Sequence, residues 1–228
     1  MRSFRSVVIV LCVALLAASA HTRQPRGEVT TSGFLKDYSI LEPGKDDQAK
    51  LRYVNPNVDF RQYQAVIVDS VTMWSGPELS KLDPKVKQAL VDSAYTSLVT
   101  TLGKSFTIAT VPGHGTIRLR AAITEATSSA VVPDLVATVI PQVRLLAMLG
   151  GVAANTAVTV GEAQGEIEAT DSLTSELLGA AVDKRIGQRS IQGVFSKWSD
   201  VEDAWEYWAE LTRKRLVEAG AGHEPVKK

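Results

Sequence analysis

Residues 65–73, AVIVDSVTM, and residues 83–103, DPKVKQALVDSAYTSLVTTLG, predict a buried strand that is followed by an amphipathic helix. The first run is rich in β-branched residues, which is typical of a strand covered on both faces. In the second run Asp83 is a favourable N-cap and Pro84 suits the first turn. Apolar residues then recur every three or four positions until Gly103. A strand that leads into a helix of this length favours a parallel crossover within a sheet.

Further strands follow this helix. Residues 106–108 predict a short strand, and residues 117–124 alternate apolar and polar side chains, which is typical of a strand with one face in water. We predict a fourth strand over residues 158–169 and a fifth over residues 176–185. A turn at residues 171–175 would join these two strands as a hairpin.

The charged side chains of the last two strands are expected to lie on a solvated surface. Glu166 and Glu168 share one face of the fourth strand, and Asp183 and Arg185 share one face of the fifth. Two carboxylates on one strand face could act as general acid and base. A run of charges is more typical of an exposed surface, and an exposed Asp183–Arg185 ion pair would contribute little stability.

The last predicted element is a helix over residues 199–220. Ser199 and Glu202 have the spacing of a capping box, the following residues form an apolar stripe, and Gly220 is a typical helix end. We therefore predict an α+β fold with a mixed, mostly antiparallel five-stranded sheet. The expected element order is strand, helix, four strands and helix, with both helices on one face of the sheet.

The first twenty residues have the pattern of a secretory signal peptide. Arg2 and Arg5 precede an apolar run at residues 7–17, and Ala18-Ser19-Ala20 has the small residues of a cleavage site. This run is shorter than the roughly 20 residues that span a bilayer. We expect cleavage after Ala20 and a periplasmic or secreted mature protein. We do not expect a lipid anchor at Cys12, because Cys12 lies inside the apolar run and follows a leucine.

Composition excludes several classes of function for the mature chain. The full chain has 25 basic and 25 acidic residues. The leader removes two arginines, which leaves 23 basic and 25 acidic residues and a net charge of 23 − 25 = −2. This balance lacks the basic excess of a nucleic-acid-binding protein. Cleavage also removes Cys12, the single cysteine, and with it thiolate catalysis and cysteine-bound zinc. No Walker loop, nucleophile elbow or paired-histidine motif is present, and we expect neither an enzyme nor a cofactor.

The mature chain divides into a short lead, one domain and a tail. We predict a mobile lead at residues 21–31, a single globular domain at residues 32–220 and a polar tail at residues 221–228. An apolar insertion at about residues 130–157 predicts two short helices or a helical hairpin, with a hinge at Pro141 and an end at Gly150. It would either cover the sheet or dock on a partner, on a second copy of the chain or on a membrane surface.

Two sets of residues are candidates for contact with other molecules. Partner contact is expected from Trp74 at the end of the first strand, and from four apolar residues of the insertion, Leu145, Leu146, Met148 and Leu149. Cleavage would also make His21 the first residue, and its amine and imidazole could chelate copper with His114 as a second ligand. The polar residues around His21 do not pre-organise such a site, so we predict no metal centre.

A motif near the start of the domain resembles a known family. The motif reads Ser32-Gly33-Phe34-Leu35-x-Asp37-Tyr38-Ser39-x-Leu41-x-Pro43, and Tyr53-Val54-Asn55-Pro56 and the strand before Trp74 follow it. This pattern resembles a bacterial envelope family designated domain of unknown function 3313, over roughly residues 32–219. The resemblance implies a secreted or lipid-anchored protein of Gram-negative bacteria with no assigned reaction. Many members of this family look like lipoproteins, and the position of Cys12 departs from that pattern.

The sequence as a whole favours a non-enzymatic binding or assembly module of the cell envelope. Such a module would act on a periplasmic protein partner or self-associate. Two alternatives remain open, a copper protein that uses His21 and a membrane-peripheral protein that docks through residues 130–155.

Overall fold

The computed structural model describes residues 26–74, 76–128, 161–187 and 198–224. Within these residues, one eight-stranded sheet is accompanied by three α-helices and a short 3-10 helix at Phe60–Gln62. The strands are β1 (Glu42–Pro43), β2 (Leu51–Val54), β3 (Ala65–Val68), β4 (Thr72–Met73), β5 (Thr107–Ile108), β6 (Thr116–Thr127), β7 (Glu162–Asp171) and β8 (Leu177–Ile186). The helices are α1 (Pro77–Ser80), α2 (Pro84–Leu102) and α3 (Ser199–Glu218).

The sheet is mixed and mostly antiparallel. Its strand order is β1-β2-β8-β7-β6-β3-β5, and β4 pairs with the far end of β6. The pairs β1–β2, β2–β8, β8–β7 and β7–β6 are antiparallel, whereas β3 is parallel to both β5 and β6. The predicted α+β class, the mixed sheet and the parallel crossover through α2 are confirmed.

The predicted count of five strands and the predicted order are wrong in detail. The expected first strand at residues 65–73 is interrupted, so that β3 and β4 pair with different parts of β6. Strand β3 pairs with β5 on one side and with β6 on the other. Strands β5 and β6, which are consecutive in the chain, are therefore not neighbours in the sheet. Strands β1 and β2 add an edge beyond β8 that the sequence pattern did not predict. With two and four residues, they are too short to show a periodicity.

Helices α2 and α3 pack on the same face of the sheet, as predicted. The Asp83 carboxylate accepts the Lys85 N–H at 2.8 Å and caps α2. One stripe of α2 is buried against the sheet: Leu90, Ala94, Leu98 and Leu102. Helix α3 contributes Trp205 and Trp208 to the same core. Each large apolar side chain buried in this way contributes about 1.5–3 kcal/mol to stability.

The two ends of α3 differ in how well they were predicted. The helix begins at Ser199, and its N-cap is Trp198. The predicted capping box, which required Ser199 to be the N-cap, is therefore wrong. Gly220 follows the C-cap with a φ of +102°, a conformation that glycine adopts without strain, and the predicted helix end is confirmed.

The other face of the sheet is covered by residues 26–41 instead of by helices. A second, smaller apolar cluster lies there, with Phe34, Leu35, Ala122, Ala180 and Val182 at its centre. Residues 26–31, which belong to the predicted mobile lead, are attached to the sheet in the structure. The Gly27 N–H donates to the Lys184 carbonyl at 3.0 Å, and the Thr30 N–H donates to the Gln164 side chain at 2.9 Å. The sheet is therefore sandwiched between helices and the N-terminal segment.

Candidate functional site

The hydroxyl of Tyr38 fastens the family motif to the sheet. It accepts hydrogen bonds from the backbone N–H of Gly33 at 2.9 Å and of Leu35 at 3.2 Å. It donates to Glu166 Oε2 on β7 at 2.6 Å. Gly33 adopts a φ of +85°, and this left-handed turn brings its N–H round to the tyrosine. The motif thus folds around one hydroxyl and ties residues 33–38 to the middle of the sheet.

An aromatic corner continues this attachment towards Trp74. The rings of Phe34 and Trp74 meet edge-to-face with centroids 5.4 Å apart. The Trp74 indole N–H donates to the Ser32 carbonyl at 3.2 Å. The Arg120 guanidinium lies 4.9 Å from the Phe34 ring centre and pairs with Glu168 at 3.2 Å. The motif therefore covers part of Trp74, which remains half-buried.

The carboxylates on β7 are buried, and their predicted exposure is wrong. Glu166 is fully buried and Glu168 nearly so, because residues 26–41 cover this face of the sheet. Gln164 is also buried and exchanges hydrogen bonds with Thr30 and Thr124. Glu166 Oε1 has no hydrogen-bond partner among the described residues. These side chains lie beneath the N-terminal segment and are closed to a substrate.

Asp183 and Arg185 form a second buried group, on the helix face. Their side chains are 3% and 1% exposed and lie 2.7 Å apart, which contradicts the predicted surface pair. Asp183 also accepts the Trp208 indole N–H at 2.8 Å and the Lys50 N–H at 2.9 Å. The Arg185 guanidinium packs over the Tyr207 ring at 4.1 Å. The aromatic residues of α3 exclude water from this pair, so breaking it would be costly.

Two further ionisable groups, the Tyr63 hydroxyl and the Asp171 carboxyl, have shifted pKa values. Burial raises the pKa of the Tyr63 hydroxyl, and the carboxylate of Asp171, 2.9 Å away, raises it further. Burial alone would raise the pKa of Asp171, but hydrogen bonds from the N–H groups of Thr174 and Leu173 and from Tyr63 lower it overall. Both groups therefore stay in their ordinary charge states at neutral pH and fix the β7–β8 turn to the core.

A half-open apolar groove lies between α3 and the strands β2 and β8. Its volume is about 130 Å³. Small residues of β7 and β8 form its floor, and Trp208 and Leu211 of α3 form one wall. Arg52 of β2 lines its opposite side. The sequence does not predict this groove, because β2 is too short to be recognised as a strand.

The predicted site residues are dispersed. Tyr53 packs against the second apolar cluster, Pro56 is exposed after β2, and Asp37 accepts both the N–H and the hydroxyl of Ser39. His114 is exposed in the turn before β6. His21 and the apolar residues Leu145, Leu146, Met148 and Leu149 lie outside the described residues.

The described part of the chain contains no group of three or more metal-ligating side chains, and none of its helices has the length and hydropathy of a membrane span. The Tyr38–Glu166 and Asp183–Trp208 contacts were missed in the sequence. The sequence around an acidic strand residue does not reveal that the residue is buried when its hydrogen-bond partner is distant in the chain.

The described residues thus form an α+β domain with an apolar groove, a motif fastened to the sheet and two groups of buried charges. The chain belongs to the family described as "Protein of unknown function (DUF3313)", whose model matches residues 30–212. The resemblance found in the sequence is therefore confirmed. No curated protein matches the chain significantly.

Solved structures show a distant likeness. A PelC dodecamer from Paraburkholderia phytofirmans is 14% identical, with a TM-score of 0.40, and the match covers 75% of this chain and 95% of that one. A point variant of the same protein is 15% identical, with a TM-score of 0.38 and the same coverage. Protein XCC0632 from Xanthomonas campestris, of family DUF330, is 12% identical with a TM-score of 0.41, and the match covers 73% of this chain and 91% of that one.

Proposed function

We propose that the protein is an exported, non-catalytic binding module of the cell envelope that holds a periplasmic protein partner at one end of its sheet. The observation that carries this proposal is the position of Trp74. Its backbone N–H donates to the Ile123 carbonyl on β6 at 2.9 Å. Ile123 lies five residues before Ser128, where the apolar insertion leaves the described sheet, and the chain returns at Gly161 beside it. The residues that flank the predicted insertion, Ser128 and Gly161, therefore lie at the same end of the sheet as Trp74.

The scaffold behind this end supports a binding role. Both faces of the sheet are covered, and the buried charges of β7 and β8 hold the covering segments in place. Contact residues are typically carried by loops that a rigid scaffold positions. The aromatic corner of Phe34 and Trp74, and Ser128 before the predicted insertion, lie on such a scaffold.

The proposal also includes export of the protein from the cytoplasm. The charged start, the short apolar run and the small residues up to Ala20 are the features of a cleaved leader. The mature chain would then have no cysteine, which suits an oxidising compartment.

Photo-crosslinking in cells tests the proposed partner surface. A photoreactive residue at Trp74 is compared with the same residue at Tyr95, which is 40% exposed on α2, on the opposite side of the sheet. We expect a discrete crosslinked protein from position 74 and none from position 95. Deletion of residues 134–154 should abolish that crosslink while the protein stays folded and exported.

Three results would decide against this proposal. Equal crosslinking from both positions would contradict a localised surface. A crosslink that survives the deletion would exclude the insertion as part of the surface. A wash-resistant membrane fraction that is lost on the same deletion would favour docking on a membrane instead.

A further inference from the structure

We propose that the groove between α3 and strands β2 and β8 binds a short acyl chain that ends in a carboxylate, and that Arg52 holds the carboxylate. This inference goes beyond the proposed partner surface, because the groove lies on the helix face whereas Trp74 packs against the cluster on the opposite face of the sheet.

The size of the groove fits a short apolar group. Its volume is about 130 Å³, and an apolar cavity of roughly 150 Å³ accommodates one benzene molecule. The floor is low because it is built from small residues, among them Ala169, Gly179 and Ala181. Gly165 is required beside it, since a Cβ there would lie 2.8 Å from the Trp208 ring. The groove therefore accepts a chain of about six carbons.

The charge available at the groove is positive. Asp183 borders the groove, but its two oxygens already accept from Lys50, Trp208 and Arg185. Arg215 also lines the groove, but its guanidinium already pairs with Asp47 and Glu218. By contrast, the half-buried Arg52 guanidinium has no hydrogen bond or ion pair within the described parts of the chain. A carboxylate is the anion that matches a guanidinium through two parallel hydrogen bonds.

An acyl chain suits this groove better than a peptide does. The surface of the groove is almost entirely apolar, and the Asp183 carboxylate beside it already accepts three hydrogen bonds. A bound peptide would bring a row of backbone N–H groups into a groove with few acceptors, and a buried polar group without a hydrogen bond is unfavourable. An acyl chain has its polar atoms at one end only, where Arg52 lies.

Titration of the mature protein with hexanoate and with 1-hexanol tests the inference, because the two ligands share a chain and differ in charge. The Trp208 indole N–H signal in two-dimensional NMR reports on occupation of the groove. We expect saturable shifts of that signal with hexanoate, and a dissociation constant about tenfold lower for hexanoate than for hexanol. The Arg52→Gln variant should raise the hexanoate constant about tenfold and leave the hexanol constant unchanged.

Two more variants complete the test. Ala181→Leu fills the floor and should abolish the binding of both ligands while signal dispersion is retained. Arg118→Gln removes a cation that pairs with Asp69 away from the groove, and it should change neither constant. Absence of a shift at Trp208 would overturn the inference, as would equal hexanoate binding by wild type and Arg52→Gln. The crosslink from position 74 does not depend on either outcome, so the two proposals fail independently.

Discussion

Replacement of Tyr38 by Phe tests whether the family motif fastens the N-terminal segment to the sheet. The substitution removes one oxygen and keeps the ring. That oxygen donates to Glu166 at 2.6 Å and accepts from the N–H groups of Gly33 and Leu35. Glu166 is fully buried, and its other oxygen has no hydrogen-bond partner in the described ranges. The variant would therefore leave a buried carboxylate poorly solvated.

The expected loss follows from these contacts. A hydrogen bond to a charged group contributes about 1.5–3 kcal/mol, and an orphaned buried donor costs about 1–3 kcal/mol. Gly33 is exposed, so water can replace its bond, whereas Leu35 is buried. We expect Tyr38→Phe to lower the free energy of unfolding by roughly 2.5–6 kcal/mol. This is a large fraction of the roughly 5–15 kcal/mol of a typical domain.

Urea denaturation of the mature protein, followed by tryptophan fluorescence, measures this loss. Tyr95→Phe is the matched control, because Tyr95 is exposed on α2 and no hydrogen bond of its hydroxyl occurs among the described residues. The control should change the free energy of unfolding by less than about 0.5 kcal/mol.

A double-mutant cycle with Glu166→Gln isolates the coupling between the two side chains, which we expect to be at least about 1 kcal/mol. If Tyr38→Phe is as mild as Tyr95→Phe, or if the cycle shows no coupling, the motif does not act through this hydroxyl.

Three other predictions concern stability. Asp183→Ala should lower the free energy of unfolding by about 3–5 kcal/mol, because it breaks the buried ion pair with Arg185. In the same urea experiment Asp69→Ala, which breaks the more exposed pair with Arg118 at 2.8 Å, should lower it by about 1 kcal/mol or less. Gly165→Ala should lower the midpoint of thermal unfolding, because the added Cβ would lie 2.8 Å from Trp208, and an unchanged midpoint would contradict the tight contact. Asp171 has a lowered pKa in the folded state, so its carboxylate stabilises the protein above the ordinary value of 3.8 and loses this effect as the pH falls through the folded value. The advantage of wild type over Asp171→Asn should therefore be largest near neutral pH and disappear in acid, and a difference that is constant with pH would refute it.

The elements with local signals were predicted from the sequence. Helix α2 has its own cap at Asp83, a regular apolar stripe and a glycine after its end, and all three lie within 21 residues. Strand β6 alternates strictly over several residues. Strands β1 and β2 have no such pattern; β2 pairs with β8, which is more than 120 residues away, and β1 pairs only with β2. Their existence depends on tertiary structure, so the sequence alone did not predict the edge of the sheet.

The burial of the charged strand faces was missed for the same reason. Glu166 and Asp183 look like surface residues in their own strands. The residues that bury them come from elsewhere, Tyr38 from the N-terminal motif and Trp208 from the last helix. The sequence identifies the motif as a family feature but does not show that it fastens the N-terminal segment to the sheet. The structure shows that three of its members, Gly33, Leu35 and Tyr38, build one attachment point.

The proposed function depends on export, and the N-terminus of the natural protein tests export most directly. Intact-mass measurement and N-terminal sequencing of the protein recovered from the periplasmic fraction should give a chain that begins at His21 and has no lipid. A chain that begins at Met1 and remains in the cytoplasmic fraction, or one with a lipid on Cys12, would contradict the account.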